Sequence, residues 1–158
     1  MTSTYYCDLF EINGKGCVVM GSGKSVACRD YTGETTKEIM KDYALFNIED
    51  GRFIAYEDLS FCGNFPLNIE KCTRMPVDYF LWMQFEDEES VDSIKEVSPT
   101  DFCEISRFNI LFGVAETDMD ARFEEFKNMI TADDHIKCII VPWCQTVEQK
   151  GKLISDYI

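Results

Sequence analysis

The residue string with the clearest chemical pattern is Gly21–Ser25, which reads Gly-Ser-Gly-Lys-Ser. It is similar to the end of a Walker A loop, in which a glycine, four residues and Gly-Lys-Ser open a helix whose backbone amides hold phosphates. Val18 stands where the first glycine should be, and residues 25–32 (SVACRDYT) are poor helix formers. We therefore interpret Gly21–Ser25 as a polar hairpin connection and keep phosphate or nucleotide binding as the alternative.

The only histidine, His135, is the candidate base for nucleophilic catalysis of the Cys-His type. In the string HIKCIIV, the two-residue period of a strand puts His135 and Cys138 on opposite faces. A serine hydrolase would need a Gly-x-Ser-x-Gly string, and a histidine-based zinc site would need more histidines. We therefore expect no catalytic residue, so the chain is predicted not to be an enzyme.

The carboxylates are numerous, but their spacing does not favour a metal site. Asp118 and Asp120 resemble the opening of a calcium loop, yet the turn glycine and the glutamate nine residues past Asp120 are both missing. The first turn of a helix is a sufficient reason for acidic residues there. We therefore predict no metal and no cofactor.

The eight cysteines indicate the redox environment of the chain. Their spacing contains no Cys-x-x-Cys pair of the kind that zinc ribbons and thioredoxin-like sites use. Cys17 and Cys138 lie inside apolar runs, and Cys103 follows Phe102. We expect small buried thiols in a reducing cytoplasm, with a disulfide between distant cysteines as the alternative.

Length, composition and charge limit the class of protein further. The chain has 158 residues with 12 Phe, 7 Tyr and 2 Trp, which is too much apolar area for a disordered acidic tail. It contains no long apolar run typical of a membrane span and no signal-peptide pattern. A net charge of −14 repels nucleic acid and anionic membranes. We expect one soluble cytoplasmic domain over residues 1–158 that binds neither.

The apolar patterning predicts strands in both halves of the chain. Residues 5–12 and 17–20 form a hairpin across Asn13–Gly16, and residues 79–85 (YFLWMQF) are apolar on both faces, which is typical of a strand covered on both sides. Residues 102–114 are predicted as one bent strand or two shorter ones, and residues 135–141 as another.

Helical spacing is found at four places. The pattern predicts a helix from Thr35 or Thr36 to Asn47, a short helix from Ser90 to Val97, a helix after Thr117 and a C-terminal helix over 146–157. The helix after Thr117 has the most regular apolar stripe. Together these elements predict an α+β fold, a single domain with a mainly antiparallel central sheet and about three helices.

The distribution of charge is the most unusual feature of the sequence. Residues 86–134 contain 15 acidic and 4 basic residues. Solubility alone is one explanation, and an acidic face that attracts a basic partner is the other. On the second interpretation, the partner-binding residues are Glu86, Asp87, Glu88, Glu89, Asp92, Asp118, Asp120, Glu124 and Glu125, with Phe61 or Phe65 as an aromatic anchor unless both lie in the core.

These observations favour a non-enzymatic acidic binding protein that neutralises a basic protein partner. The most concrete version is an immunity protein that inhibits a nuclease-type toxin by occluding its active cleft, where its carboxylates would pair with Lys and Arg that otherwise hold phosphates. A phosphate- or nucleotide-binding domain that uses Gly21–Ser25 and a ligand-sensing scaffold module remain the alternatives. The oligomeric state stays open.

Overall fold

Three parallel strands form the middle of the larger of two sheets. They are β3 (Lys15–Gly21), β8 (Tyr79–Met83) and β10 (Lys137–Val141), paired in register so that Leu81 lies between Val19 and Ile139. The computed structural model describes residues 3–21, 43–57, 70–71, 74–84, 92–111 and 114–158.

Antiparallel strands extend this sheet on both sides. β2 (Asp8–Ile12) and β6 (Glu70–Lys71) lie beyond β3, and β9 (Lys95–Val97) lies beyond β10, so the strand order is β6-β2-β3-β8-β10-β9. Asn13 and Gly14 have positive φ and form the turn between β2 and β3, which confirms the predicted hairpin.

The parallel strands are apolar on both faces because both faces are buried. Phe80 and Trp82 of β8 belong to one core cluster, and Leu81 and Met83 belong to a second cluster on the other side of the sheet. The prediction that residues 79–85 are covered on both sides is confirmed as far as Gln84, the last residue described there.

A second, four-stranded sheet packs over the first core cluster. Its order is β1-β4-β5-β7, with β1 (Ser3–Tyr6), β4 (Tyr43–Glu49), β5 (Arg52–Glu57) and β7 (Arg74–Pro76) all antiparallel. Phe46 and Phe53 meet at a ring-centroid distance of 4.9 Å, and Phe53 reaches Phe80 of the larger sheet at 5.4 Å. These aromatic contacts join the two sheets.

Helices lie on both sides of the larger sheet. α1 (Pro99–Ile105), α2 (Arg107–Leu111) and α3 (Met119–Ala132) lie on the side of the first core cluster, and a single 3-10 turn (Glu116–Asp118) precedes α3. α4 (Val147–Tyr157) covers the opposite side of the sheet and buries Ile154 in the second cluster. The α+β class is confirmed, and six of the eight described strand pairings are antiparallel, although the middle of the larger sheet is parallel.

Three local predictions were wrong for reasons that lie in tertiary structure or in helix capping. Residues 43–49 form β4 rather than the end of a helix, because β1 and β5 pair with both of its edges. Residues 95–97 form β9 on the edge of β10 rather than the end of a helix. Residues 99–111 are helical, since the Ser98 hydroxyl accepts a 3.0 Å hydrogen bond from the Asp101 amide and Pro99 starts α1.

The segment Gly21–Ser25, interpreted as a hairpin connection, begins at the last residue of β3. β2 pairs with one edge of β3, and β8 pairs with the other. Residues Ser22–Ser25 themselves lie outside the described part of the chain.

Candidate functional site

The outer surface of α1, α2, the 3-10 turn and α3 carries an excess of negative charge. The described residues from 99 to 132 include seven acidic and three basic side chains. α1 and α2 both pack against α3, so these charges share one side of the molecule. We call this surface the acidic helical face; its exposed carboxylates are Asp101, Glu104, Glu116, Asp118, Asp120 and Glu124.

α3 presents its carboxylates outward because its apolar stripe is used by the core. Phe123, Phe126 and Ile130 are buried, and they confirm the stripe predicted from the sequence. Asp120 and Glu124 are four residues apart and therefore lie on the same exposed side of the helix. The packing of α3 therefore leaves these two carboxylates on the surface of the molecule.

Two large apolar side chains are exposed on the acidic helical face. Phe108 of α2 is 61% exposed, and Ile105 of α1 is 38% exposed. The guanidinium carbon of Arg107, the residue before Phe108, lies 4.3 Å from the centroid of the Phe123 ring, and Arg107 Nη2 lies 3.9 Å from Asp120 Oδ1. Phe108 is therefore an exposed aromatic residue of a helix that packs against the acidic helix α3.

The three cations on this face reduce its charge without cancelling it. Their ion pairs with carboxylates are long, at 3.8 to 3.9 Å, and such exposed pairs contribute little stability. The pairs are Arg107–Asp120, Arg122–Glu125 and Lys127–Glu124. With every cation paired, the face keeps a formal charge of −4 over the described residues 99–132.

The structure brings together only part of the predicted partner-binding set. Asp118, Asp120, Glu124 and Glu125 all lie on the 3-10 turn and α3. Asp92 lies instead against residues of α4, which covers the other side of the larger sheet. The other predicted residues fall outside the described part of the chain, namely Glu86, Asp87, Glu88, Glu89, Phe61 and Phe65.

Phe108 and Ile105 were not predicted as site residues, because residues 102–114 were interpreted as strand. The signal for a helix was present in Ser98 and Pro99, a capping residue followed by a proline at the first helical position. A helix beginning there buries Phe102 and Cys103 and leaves Ile105 exposed.

A second region of interest lies where the parallel strands end. Gly21, Met83 and Val141 are aligned in register at one border of the sheet, which we call the carboxyl edge. Gly21 has φ +110°, and a Cβ at this position would lie 2.5 Å from the Met83 carbonyl oxygen. Only glycine fits this close approach without displacing the backbone.

A cleft opens beside the end of β10. Its volume is about 430 Å³, and it lies between the segment that leaves the strand and the first half of α4. Thr146 starts α4 with a capping box, in which its hydroxyl accepts from the Gln149 amide at 3.2 Å. The lining residues are Asp92, Pro142, Trp143, Cys144, Gln145, Gln149 and Leu153.

His135 takes part in a network at the opposite border of the sheet. The fully buried Asp133 carboxylate accepts hydrogen bonds from the Phe53 and His135 amides, both at 2.9 Å, and from Arg52 Nε at 3.0 Å. Burial alone would raise the pKa of Asp133, but these hydrogen bonds outweigh it and lower the pKa. Asp133 therefore joins β5 to the segment between α3 and β10.

The described cysteines behave as the sequence predicts. Four of the five are buried, and Cys144 is half-buried. Burial raises the pKa of the Cys103 thiol to about 12 and raises the pKa of Cys138 as well. Cys138 lies in the core, whereas the side chain of His135 is 69% exposed. The described part of the chain therefore does not bring His135 and Cys138 together as a catalytic pair.

The described residues also bear on metal binding and on membrane insertion. Among them, no group of three or more His, Cys, Asp or Glu side chains is arranged to hold a metal ion. None of the helices described is both long enough and apolar enough to cross a membrane.

The comparisons with known proteins find likenesses among solved structures alone. No protein-family model and no curated protein matches the chain. Among solved structures, it is similar to the HPr(Ser) kinase/phosphatase from Coxiella burnetii, with a TM-score of 0.46 and 11% identity over 98% of this chain and 95% of that chain. At this TM-score and identity, the likeness decides neither the fold family nor the function.

Proposed function

We propose that this protein is a non-enzymatic binding protein that neutralises a basic protein partner through its acidic helical face. The observation that carries the proposal is the exposed Phe108 of α2, a helix that packs against the carboxylate-rich α3. An apolar anchor next to excess charge is the combination that protein-binding surfaces use for affinity and for steering.

The two components of this surface have different physical roles. The negative field attracts a cationic partner over about one Debye length, roughly 8–10 Å in cytoplasmic salt, and so raises the association rate. Burial of the Phe108 ring slows dissociation, because aromatic side chains bury a large apolar area at interfaces.

The most concrete form of the partner is a nuclease-type toxin. Such an enzyme holds its substrate with Lys and Arg, and carboxylates can occupy those cations in place of phosphates. The protein would then act as an immunity protein in the cytoplasm, by covering the active cleft. The size and acidity of the chain are consistent with this role.

Nuclease inhibition tests the proposal. A panel of purified basic nuclease domains is assayed with and without the wild-type protein, and we expect stoichiometric inhibition of at least one of them. The variant Phe108→Ala should weaken that inhibition at least tenfold, while Tyr157→Ala, which truncates an exposed aromatic residue on α4, should not. Absence of inhibition across the panel, or equal inhibition by both variants, would reject the proposal.

A second candidate function is supported by a specific observation at the carboxyl edge. β3 is followed by Gly21–Ser25 and runs parallel to β8, and ligands of open α/β sheets bind beyond the carboxyl ends of such strands. In chain order, Glu86 comes two residues after Gln84, just beyond the end of β8, and a carboxylate is a suitable Mg²⁺ ligand. These features favour binding of a phosphate or nucleotide by the Gly-Ser-Gly-Lys-Ser segment.

Calorimetry separates this candidate from the first. The full chain is titrated with ATP, GTP and inorganic phosphate, with and without Mg²⁺. The candidate predicts saturable binding that weakens at least tenfold in Lys24→Ala and is unchanged in the control Lys15→Ala, at the opposite end of β3. No heat of binding with any probe, or equal binding by the two variants, would rule it out.

A further inference from the structure

The cleft beside β10 is widely open to solvent, and it lies where small molecules bind to parallel sheets. Its volume of about 430 Å³ lies within the range of about 300–1,000 Å³ typical of ligand pockets. It opens at the carboxyl end of a parallel strand, where the backbone leaves the sheet and side chains from the next segment converge. Among the described residues, those of the acidic helical face do not line it.

Trp143 gives the cleft an aromatic surface. This indole is 39% exposed, while the other tryptophan of the chain, Trp82, is 6% exposed and lies in the core. Pro142 and Leu153 provide further apolar lining. An accessible indole above such a lining is suited to stacking against a flat ring.

The polar lining indicates what kind of ring fits. The side-chain oxygen of Gln149 lies 3.4 Å from the Thr146 amide in the capping box, so its amide NH₂ group is the donor left for a ligand. Gln145 adds a second amide, with both donor and acceptor, and Asp92 adds an acceptor with negative charge. Amides recognise ring nitrogens and exocyclic groups, whereas Asp92 repels an anionic group.

We propose that this cleft binds a neutral planar nitrogen heterocycle of the nucleobase type, stacked on Trp143 and hydrogen-bonded by Gln145, Gln149 and Asp92. The inference goes beyond both functions above, because the ring needs neither a basic protein nor a phosphate group. Its recognition elements are an indole face, two amides and one carboxylate, all within one cleft.

Uncharged nucleosides test the proposal without involving the phosphate candidate. Adenosine, guanosine, cytidine and uridine are titrated into the full chain by calorimetry, and the intrinsic fluorescence is followed in parallel. We expect at least one nucleoside to bind saturably and to quench tryptophan emission, because Trp143 is the exposed tryptophan. Calorimetry should show about tenfold weaker binding for Trp143→Ala and a smaller loss for Trp143→Phe, which keeps a ring for stacking.

Further variants keep the test decisive if Trp143→Ala folds poorly. Gln145→Ala and Asp92→Ala each remove a polar group from an exposed residue, and each should weaken binding severalfold. Phe108→Ala, on the acidic helical face, should leave binding unchanged. The proposal is overturned if no nucleoside binds at millimolar concentration, or if the cleft variants bind as tightly as the wild type. Binding of ATP alone that is lost in Lys24→Ala and retained in Trp143→Ala would also overturn it and would support the phosphate candidate.

Discussion

The acidic helical face and the carboxyl edge differ in how their residues are held. The carboxylates of the face are exposed side chains on helices, and their effect on a partner depends on charge and acts at a distance. At the carboxyl edge, Gly21 approaches the Met83 carbonyl so closely that no side chain fits, and the neighbouring cleft depends on the shape of the backbone. The face is therefore suited to recognising a macromolecule, and the edge is suited to a small ligand.

We expect both regions to depend on one scaffold, and the variant with the largest expected loss of stability is Asp133→Ala. We expect Asp133→Ala to lower the free energy of unfolding by about 3 kcal/mol, because it leaves the Phe53 and His135 amides and Arg52 without their buried acceptor. Chemical denaturation measures the loss. The exposed neighbour variant Asp134→Ala should change stability by less than about 0.5 kcal/mol. Equal stability of the two variants would mean that the network does not hold the scaffold.

The contribution of the Asp133 network to stability should also depend on pH. The pKa of Asp133 is lower in the folded state than its ordinary value of 3.8, so its contribution to stability is present above that value and is lost as pH falls through the folded pKa. We expect the melting temperature of the wild type to drop below about pH 4 more steeply than that of Asp133→Asn. Parallel pH profiles for the two proteins would contradict this assignment.

The variant Gly21→Ala tests whether the close backbone approach at the carboxyl edge contributes to stability. Gly21→Ala should destabilise the fold by about 2 kcal/mol, since it combines a positive φ with a Cβ contact to the backbone of Met83. Gly14→Ala is the matched control, because Gly14 also has positive φ but has open space around its Cβ position. We expect about 1 kcal/mol for this control. If thermal denaturation gives equal losses, the close approach at Gly21 has no energetic consequence.

Phe108 should show the smallest effect on stability and a clear effect on binding. A side chain that is 61% exposed contributes little to folding, so Phe108→Ala should change the free energy of unfolding by less than about 0.5 kcal/mol. Chemical denaturation of this variant checks the value. A loss of several kcal/mol would show that Phe108 is a core residue and would remove the apolar anchor from the acidic helical face.

The sequence predicted those elements whose pattern is set by local burial. Residues 79–83 are apolar on both faces, and the stripe of Phe123, Phe126 and Ile130 has helical spacing, so both elements were found. Residues 43–47 of β4 were assigned to the end of a helix, because their strand pairing comes from partners distant in sequence. The packing of α2 on α3, which brings Arg107 to Asp120, also depends on tertiary structure that no local pattern contains.

We expect the location of the carboxylates, and not net charge alone, to determine how fast a basic partner associates. The direct measurement is the stopped-flow association rate with a nuclease domain that the wild type inhibits, at low and at physiological salt. Two variants with equal net charge are compared: Asp118→Asn/Asp120→Asn/Glu124→Gln on the acidic helical face, and Glu11→Gln/Asp134→Asn/Asp156→Asn elsewhere on the surface. We predict about tenfold slower association for the first variant at low salt, with near wild-type rates for the second. Equal rates for both variants would contradict the account.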